Sequence, residues 1–234
     1  MYTRVLLKLS GEQLAGHFAG GIDGEFCGWL AQEVKKAVEA NVQMVIMVGG
    51  GNYARGAQLA GHGIGRVTAD NIGMLATMMN GLALADIFEA QGLNARALTN
   101  IKADQVIDQF THRRAVNHLR KGRVVIIAGG IGRPYLTTDT AAVSLALELD
   151  CQAVLKATKV NGVYDQDPVQ FPDARKLESL NFQQAIADDR IKVMDKAAMG
   201  LAMEHNLPII IFDSQQPDNI AKAARGDNPG TLIS

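Results

Sequence analysis

Apolar residues along this chain follow two alternating rhythms. Short continuous runs rich in branched side chains occur at Arg4–Leu9, Val42–Val48, Ala95–Leu98, Arg123–Ala128, Ala153–Leu155 and Pro208–Phe212. Runs of this length read as strands buried on both faces. Between them the spacing widens to the helical period. Ile22, Phe26, Leu30, Val34 and Val38 recur every four residues around Asp23, a residue suited to open a helix. A second helical pattern runs from about Asp70 to Gln91 and is predicted to bury Leu75, Met78, Met79, Leu82 and Ile87. Asp195 is placed to cap a third, which ends near Asn206 ahead of Pro208. Buried strands alternating with helices predict an α/β fold whose mainly parallel sheet is covered on both faces. No proline-rich or serine-rich linker divides residues 1–234 and no repeat is visible, so one domain is expected.

In sheets of this kind, ligands gather at the carboxyl ends of the strands. The glycines fall there. The first strand runs into Ser10-Gly11-Glu12, the second into Gly49-Gly50-Gly51-Asn52, and the fourth into Gly129-Gly130-Ile131-Gly132. One glycine after a strand marks a turn. Three such loops at one end of a sheet let backbone amides approach an anion. Lys8 points the same way, because it interrupts an apolar strand one residue before its end. Lysine is rarely buried unless paired, and its ammonium offers a phosphate a compact charge with three donors. The familiar cradles are missing: there is no GxxxxGK[ST] string, and neither HRD nor DFG occurs. Gly49 to Ala54 satisfies GxGxxA, with Asp70 19 residues beyond Gly51. A dinucleotide site needs that acidic residue at the end of a strand, whereas Asp70 opens a helical pattern.

Composition narrows the partners. Hydrophobic residues make up 47% of the chain and charged ones 20%, which is core-forming rather than disordered. Twenty-three basic residues against 24 acidic give a net charge of -1, against a general nucleic-acid binder. The basic cluster Arg113–Lys121 reads as a solvated helix face. Cys27 and Cys151 lie far apart in apolar surroundings, as buried free thiols do. His17, His62, His112, His118 and His205 show no metal spacing, so neither a protein metal site nor a catalytic histidine is assigned. The run Val5–Leu9 is too short for a signal peptide, and the longest apolar runs are strand-length where a spanning helix needs about 20 residues. A cytoplasmic chain without membrane or nucleic-acid partners is expected.

Longer strings carry a family resemblance. Lys8-Leu9-Ser10-Gly11-Glu12, Gly49 to Asn52 through Arg55-Gly56, Thr137-Thr138-Asp139-Thr140-Ala141-Ala142, and Leu155 to Tyr164 resemble the amino acid kinase superfamily. Within it they are similar to the bacterial uridylate kinases, as is the segment Gly73 to Ala83. The resemblance extends from Lys8 to the closing Gly230-Thr231-Leu232-Ile233. It implies a three-layer α/β/α sandwich and magnesium-dependent transfer of the ATP γ-phosphate to UMP, giving UDP and ADP in pyrimidine nucleotide synthesis. It also implies a homo-oligomer, a hexamer. Carried onto this sequence, the ATP side is Lys8, Leu9, Ser10, Gly11, Gly51, Arg55, Thr158, Tyr164 and Asp167. The UMP side is Gly50, Asp70, Ile131, Gly132, Arg133, Pro134, Tyr135, Leu136, Thr137 and Thr138. Lys8, Arg55 and Asp195 are the implied catalytic residues, with Asp195 expected to orient Lys8. The acceptor phosphate has a second pKa of about 6 and is mostly ionised at pH 7, so no general base is required. Alignment and charge neutralisation remain. Magnesium is expected on phosphates and water rather than on protein ligands.

Departures from the family pattern cluster in one loop. Relatives usually read GTGNP followed by two aromatics, where this chain has Gly130-Ile131-Gly132-Arg133-Pro134-Tyr135-Leu136. Ile131 removes a hydroxyl, Arg133 replaces an amide with a cation, and Leu136 removes a ring, which leaves the strictness of uracil selection open. Neither Ala85 nor Glu89 offers a cation to an anionic effector, and weak or absent activation by GTP is expected. Two alternatives stand beside UMP phosphorylation: a superfamily kinase with a carboxylate or carbamate acceptor, and a nucleotide-binding storage or regulatory protein on the same fold.

Overall fold

The computed structural model describes residues 1–54, 59, 63–166, 170–171, 173–188, 191 and 193–234. Its strands are β1 (Arg4–Leu9), β2 (Gln43–Val48), β3 (Ala95–Thr99), β4 (Asp108–Gln109), β5 (Val124–Ala128), β6 (Val154–Thr158), β7 (Val163–Tyr164), β8 (Lys176–Leu177), β9 (Ser179–Leu180), β10 (Ile209–Asp213) and β11 (Thr231–Ile233). Its helices are α1 (Gly11–Leu14), α2 (Gly24–Glu39), α3 (Arg66–Ala90), α4 (His112–Arg120), α5 (Thr138–Glu148), α6 (Phe182–Ala187), α7 (Lys196–Glu204) and α8 (Asn219–Arg225).

Nine strands form one sheet in the order β4-β3-β5-β2-β1-β6-β10-β11-β9, and β7 with β8 makes a separate hairpin. Within the sheet every pairing is parallel except β10 with β11. The mainly parallel α/β architecture read from the sequence is therefore present. Strands β4, β7, β8, β9 and β11 were not expected, because two or three residues carry no usable periodicity.

Helices cover both faces, each over its own apolar core. On one face Val5, Leu7, Leu9, Ile46, Leu30, Val34 and Phe88 pack together beneath α2, α3 and α8. On the other Leu6, Val45, Val154, Leu145, Leu149 and Met199 pack beneath α4, α5 and α7. Neighbouring strand residues face opposite ways, so β1 sends Leu7 to one core and Leu6 to the other. Lys8 therefore shares the face of Leu6. Asp23 opens α2 as expected, its Oδ1 accepting from the N–H groups of Glu25 at 3.0 Å and Phe26 at 3.1 Å. Cys27 and Cys151 are buried and unpaired, and desolvation pushes both thiols up to about 12.

Helix α3 differs from expectation in two ways. It begins at Arg66, so Asp70 lies inside its second turn instead of opening it. Leu75 and Met79, expected inside, are 51% and 48% exposed, and with Val67 they mark an outer stripe facing away from the sheet. Met78 is buried as expected, while Leu82 and Ile87 are half-buried. The helix turns Met74, Met78, Leu84 and Phe88 inward, and among the described residues no apolar core cluster covers its other side. Its length and composition would suit a membrane crossing. Its nine buried residues and its packing on β3, β5 and α2 mark it instead as a core helix.

Phe88 is fully buried in that core. Phe88→Ala should lower unfolding free energy by about 3–5 kcal/mol, measured by urea denaturation; a loss under about 1 kcal/mol would mean that α3 does not pack on the sheet in this way.

Candidate active site

Strands β5, β2, β1 and β6 are neighbours, so their carboxyl-terminal loops meet along one rim. The glycine loops interlock there. A Cβ at Gly11 would lie 2.5 Å from Asn52 Oδ1 and 2.6 Å from the nitrogen of Gly51, and one at Gly50 would lie 2.7 Å from the carbonyl oxygen of Gly73. No side chain fits these crossings. The N–H of Gly49 is used by Leu9, and the carbonyl of Gly50 accepts from Tyr53 and Ala54. The N–H groups of Gly50, Gly51 and Asn52 donate to nothing among the described residues. Successive free amides of this kind make a cradle for an anion.

The charge beside that cradle comes from the strand register. Lys8 on β1 is paired directly with Lys156 on β6, so the two side chains emerge together on the α5 face. Asp139, in the first turn of α5, separates them. Its Oδ1 lies 2.8 Å from the Lys8 ammonium, and its Oδ2 accepts from Lys156 Nζ at 2.7 Å. Lys156 also donates to the carbonyl of Val193. Burial alone would raise the Asp139 pKa, but the two ammonium groups outweigh it and hold the carboxyl below its ordinary 3.8. Burial lowers the pKa of Lys156, against the opposing pull of Asp139. The triad by itself, two cations on one carboxylate, carries a net positive charge, with the Asp195 carboxylate also acting on Lys156.

The expected partner of Lys8 is thereby corrected. Asp195 does not orient Lys8: its carboxylate accepts from the hydroxyls of Thr137 and Thr140 and from the N–H of Ala198 at 2.9 Å, capping α7. Asp139 occupies the place between the lysines because α5 starts directly over β1 and β6.

A cleft adjoins the rim, walled by Asp70, Gly73, Met74 and Thr77 of α3, by Gly50 and Ala54, and by Gly130, Arg133, Leu136, Thr137 and Thr138. Its outer loop is pinned from both sides. The N–H of Gly129 donates to Thr77 Oγ1 at 2.6 Å, and Asn100 Nδ2 donates to the carbonyl of Gly130 at 2.6 Å. Asp70 accepts from the N–H of Tyr135 at 2.8 Å and pairs with Arg66 at 2.8 Å, whose guanidinium lies 5.0 Å from the Tyr135 ring centre. Tyr135 sits at φ +66°, an unusual conformation for a bulky residue, held by this clasp. Ile131 packs toward the second core, whereas Arg133, Tyr135 and Leu136 are exposed.

Ser10 caps α1, with Gln13 closing the capping box and donating to Ser214 Oγ at 2.9 Å. Leu9 is core, and Pro134 and Gly132 are partly buried in the cleft loop. The Thr158 hydroxyl lies 2.6 Å from the carbonyl of Val160 and 3.0 Å from that of Phe212, and the Tyr164 hydroxyl donates to Asn161. Arg55 and Asp167 lie outside the described residues. Sequence reasoning did not single out Asp139, Lys156, Thr77 or Asn80. Lys156 carried the same signal as Lys8, a lysine inside an apolar strand. Among the described residues no three His, Cys, Asp or Glu side chains cluster to hold a metal, and the carboxylates of Asp139 and Asp195 are already engaged.

The fold and the site together define a phosphate-handling α/β enzyme. Residues 3–213 match the model of the amino acid kinase family, and the chain belongs to that family. Among solved structures it is similar to a UMP kinase from Bacillus anthracis, at 36% identity and a TM-score of 0.94, covering 100% of this chain and 96% of that one. A UMP kinase from Ureaplasma parvum is 32% identical with a TM-score of 0.92, covering 100% and 99%. A uridylate kinase from Archaeoglobus fulgidus is 25% identical with a TM-score of 0.74, covering 98% and 99%.

Removing the Asp139 charge strands two buried lysines. Asp139→Asn should cost about 3–5 kcal/mol at pH 7, read by chemical denaturation. Because the folded carboxyl titrates below 3.8, its stabilisation is present above that pH and fades as pH falls through the lowered value. The gap between variant and wild type should therefore narrow in acid. Equal stability at pH 7 would show that Asp139 does not pair with the lysines in solution.

Proposed function

We propose that this chain is a UMP kinase, transferring the γ-phosphate of ATP to UMP to give UDP and ADP. The observation that carries this reading is the Lys8–Asp139–Lys156 cluster beside the free amides of Gly50, Gly51 and Asn52, opening on the cleft that holds Asp70 and Thr138. Phosphoryl transfer asks the protein for alignment and for neutralisation of charge spread over oxygens. Lys8 meets the transferring phosphoryl group from the strand end while the amide cradle meets it from the loop. The acceptor phosphate needs no base, in keeping with a rim that carries cations and donors. Magnesium, arriving with ATP, adds further neutralisation and stays on phosphate oxygens and water, since the nearby carboxylates are taken.

Base selection follows from what remains available. Thr137 is committed to Asp195 and to capping α5, so Thr138 and the donor-only guanidinium of Arg133 are left to test the acceptor. The guanidinium matches the carbonyls of uracil and disfavours the amino group of cytosine, while the Thr138 hydroxyl can donate or accept. The sheet draws strands from Arg4 to Ile233, which supports the single-domain reading. Two buried, unpaired thiols fit the reducing cytoplasm.

ADP release with ATP, magnesium and UMP, with CMP, glutamate and carbamate alongside, tests the reading. UMP turnover should exceed the others, fall about 100-fold or more in Lys8→Ala, and be unchanged by GTP at subsaturating UMP. ATP binding without UMP turnover would sink the reading in favour of a binding protein, and turnover of carbamate or glutamate would reassign the acceptor.

The outer stripe of α3 supports a homo-oligomer, a hexamer by family resemblance. Val67, Leu75 and Met79 present an apolar face of the kind that a second copy buries. Light scattering after gel filtration should show wild type as an oligomer and Leu75→Asp as smaller species; an unchanged mass would place the interface elsewhere.

A further inference from the structure

Asn80 is fully buried on α3, in a helix whose other inward positions are mostly apolar. Its amide is completely engaged. Nδ2 donates to the carbonyl of Gly49 at 2.7 Å and to Asn52 Oδ1 at 2.7 Å, and Oδ1 accepts from Asn52 Nδ2 at 2.9 Å. Asn52 in turn donates its second hydrogen to the carbonyl of Gly21 at 2.6 Å. The two amides thus face each other as a reciprocal pair, and flipping either one would oppose like groups. A buried polar pair of this kind specifies one geometry, because every alternative leaves a group unsatisfied.

What it specifies is the cradle. The Gly49 carbonyl and the Asn52 side chain bracket the peptides whose N–H groups at Gly50, Gly51 and Asn52 stay free. Asn52 Oδ1 also fills the space beside Gly11, tying that loop to the same arrangement. Glycine peptides turn readily, so a loop of three glycines needs an outside reference to keep its donors aimed. We infer that Asn80 is a positioning residue for phosphoryl transfer, acting through Gly49 and Asn52 to hold these amides toward the phosphates. This rests on the kinase reading above. A transferring phosphoryl group spreads charge that ground-state ATP does not, so misaimed amides lower kcat more than they raise KM.

The test uses the full chain with Asn80→Asp, Asn80→Ala and Asn52→Ala, following kcat, both KM values, ATP dissociation constants by calorimetry and thermal melting. Asn80→Asp keeps the shape and the acceptor but donates nothing to Gly49. It should lower kcat about 10- to 100-fold with KM for UMP changed less than about threefold, and Asn52→Ala should do the same. Combining Asn80→Ala with Asn52→Ala should be no worse than the more damaging single change, since both cut one clamp. A folded Asn80→Ala with kcat within about twofold of wild type overturns the inference. If the Asn80 variants do not fold, Asn52→Ala, made on a partly exposed loop, decides by the same criterion. Should wild type bind ATP yet leave UMP untouched, the kinase reading fails, and ATP affinity then judges the clamp. A loss of about tenfold in Asn52→Ala supports it, and a change under about twofold overturns it.

Discussion

A carboxylate held between two lysines at the ends of adjacent parallel strands is the constraint on which the site depends. Taking each ion out of water costs several kcal/mol, and attraction repays this only when geometry is close to ideal. The fold supplies that geometry at three levels. Strand register places Lys8 beside Lys156. The first turn of α5 lays Asp139 over both, where the positive end of the helix favours a carboxylate. Thr137 caps that turn while its hydroxyl is held by Asp195, so the start of α5 cannot drift. Asp195 is thus a support for the element carrying Asp139.

Helix α3 brings the remaining parts into one frame. Asp70 clasps the cleft loop near its N-terminal end, Thr77 holds the N–H of Gly129, and Asn80 holds the loop after β2. These residues lie at separations of seven and three, close to two turns and one turn of helix, so a single rigid face serves two loops, the cleft loop at two points and the loop after β2 at one. Gly50 and Gly81 let the backbones close up, with a Cβ at Gly81 only 3.0 Å from that of Ala128. The opposite side of the same helix is the exposed apolar stripe. A change in how α3 lies on the sheet would therefore move the cradle and the cleft together.

Much of this was legible because it violates the local pattern. Lys8 stands out as a charge in an apolar strand, and the three glycine loops stand out as breaks after strands. The parallel sheet and the caps at Asp23 and Asp195 follow from period and residue type. Lys156 gives the same signal as Lys8, yet its role appears only when β1 and β6 are known to be neighbours. Register is not written in either strand alone. Asp139 and Asp195 are equally good helix-capping acids by sequence, and only the position of α5 over β1 and β6 separates them. Leu75 and Met79 fit an inward helical stripe as well as Met78 does, because α3 is apolar nearly all round and its period is weak. Thr77 and Asn80 look like ordinary interruptions in such a helix until the loops they hold are seen.

The altered cleft loop can be understood from what the structure leaves free. Its peptide path is set by Thr77, Asn100 and Asp70, all of which act on backbone groups, so Ile131, Arg133 and Leu136 can differ from the usual residues without releasing the loop. Ile131 points toward the core and exchanges a hydroxyl for packing. Arg133 borders the cleft and forms no ion pair among the described residues, whereas Arg66 is occupied by Asp70 and Tyr135. The free guanidinium can add donors and charge to the cleft without disturbing the clasp. Backbone-mediated anchoring thus separates the shape of the loop from the side chains it presents, so the cleft keeps its outline while the chemistry along its wall is free to vary.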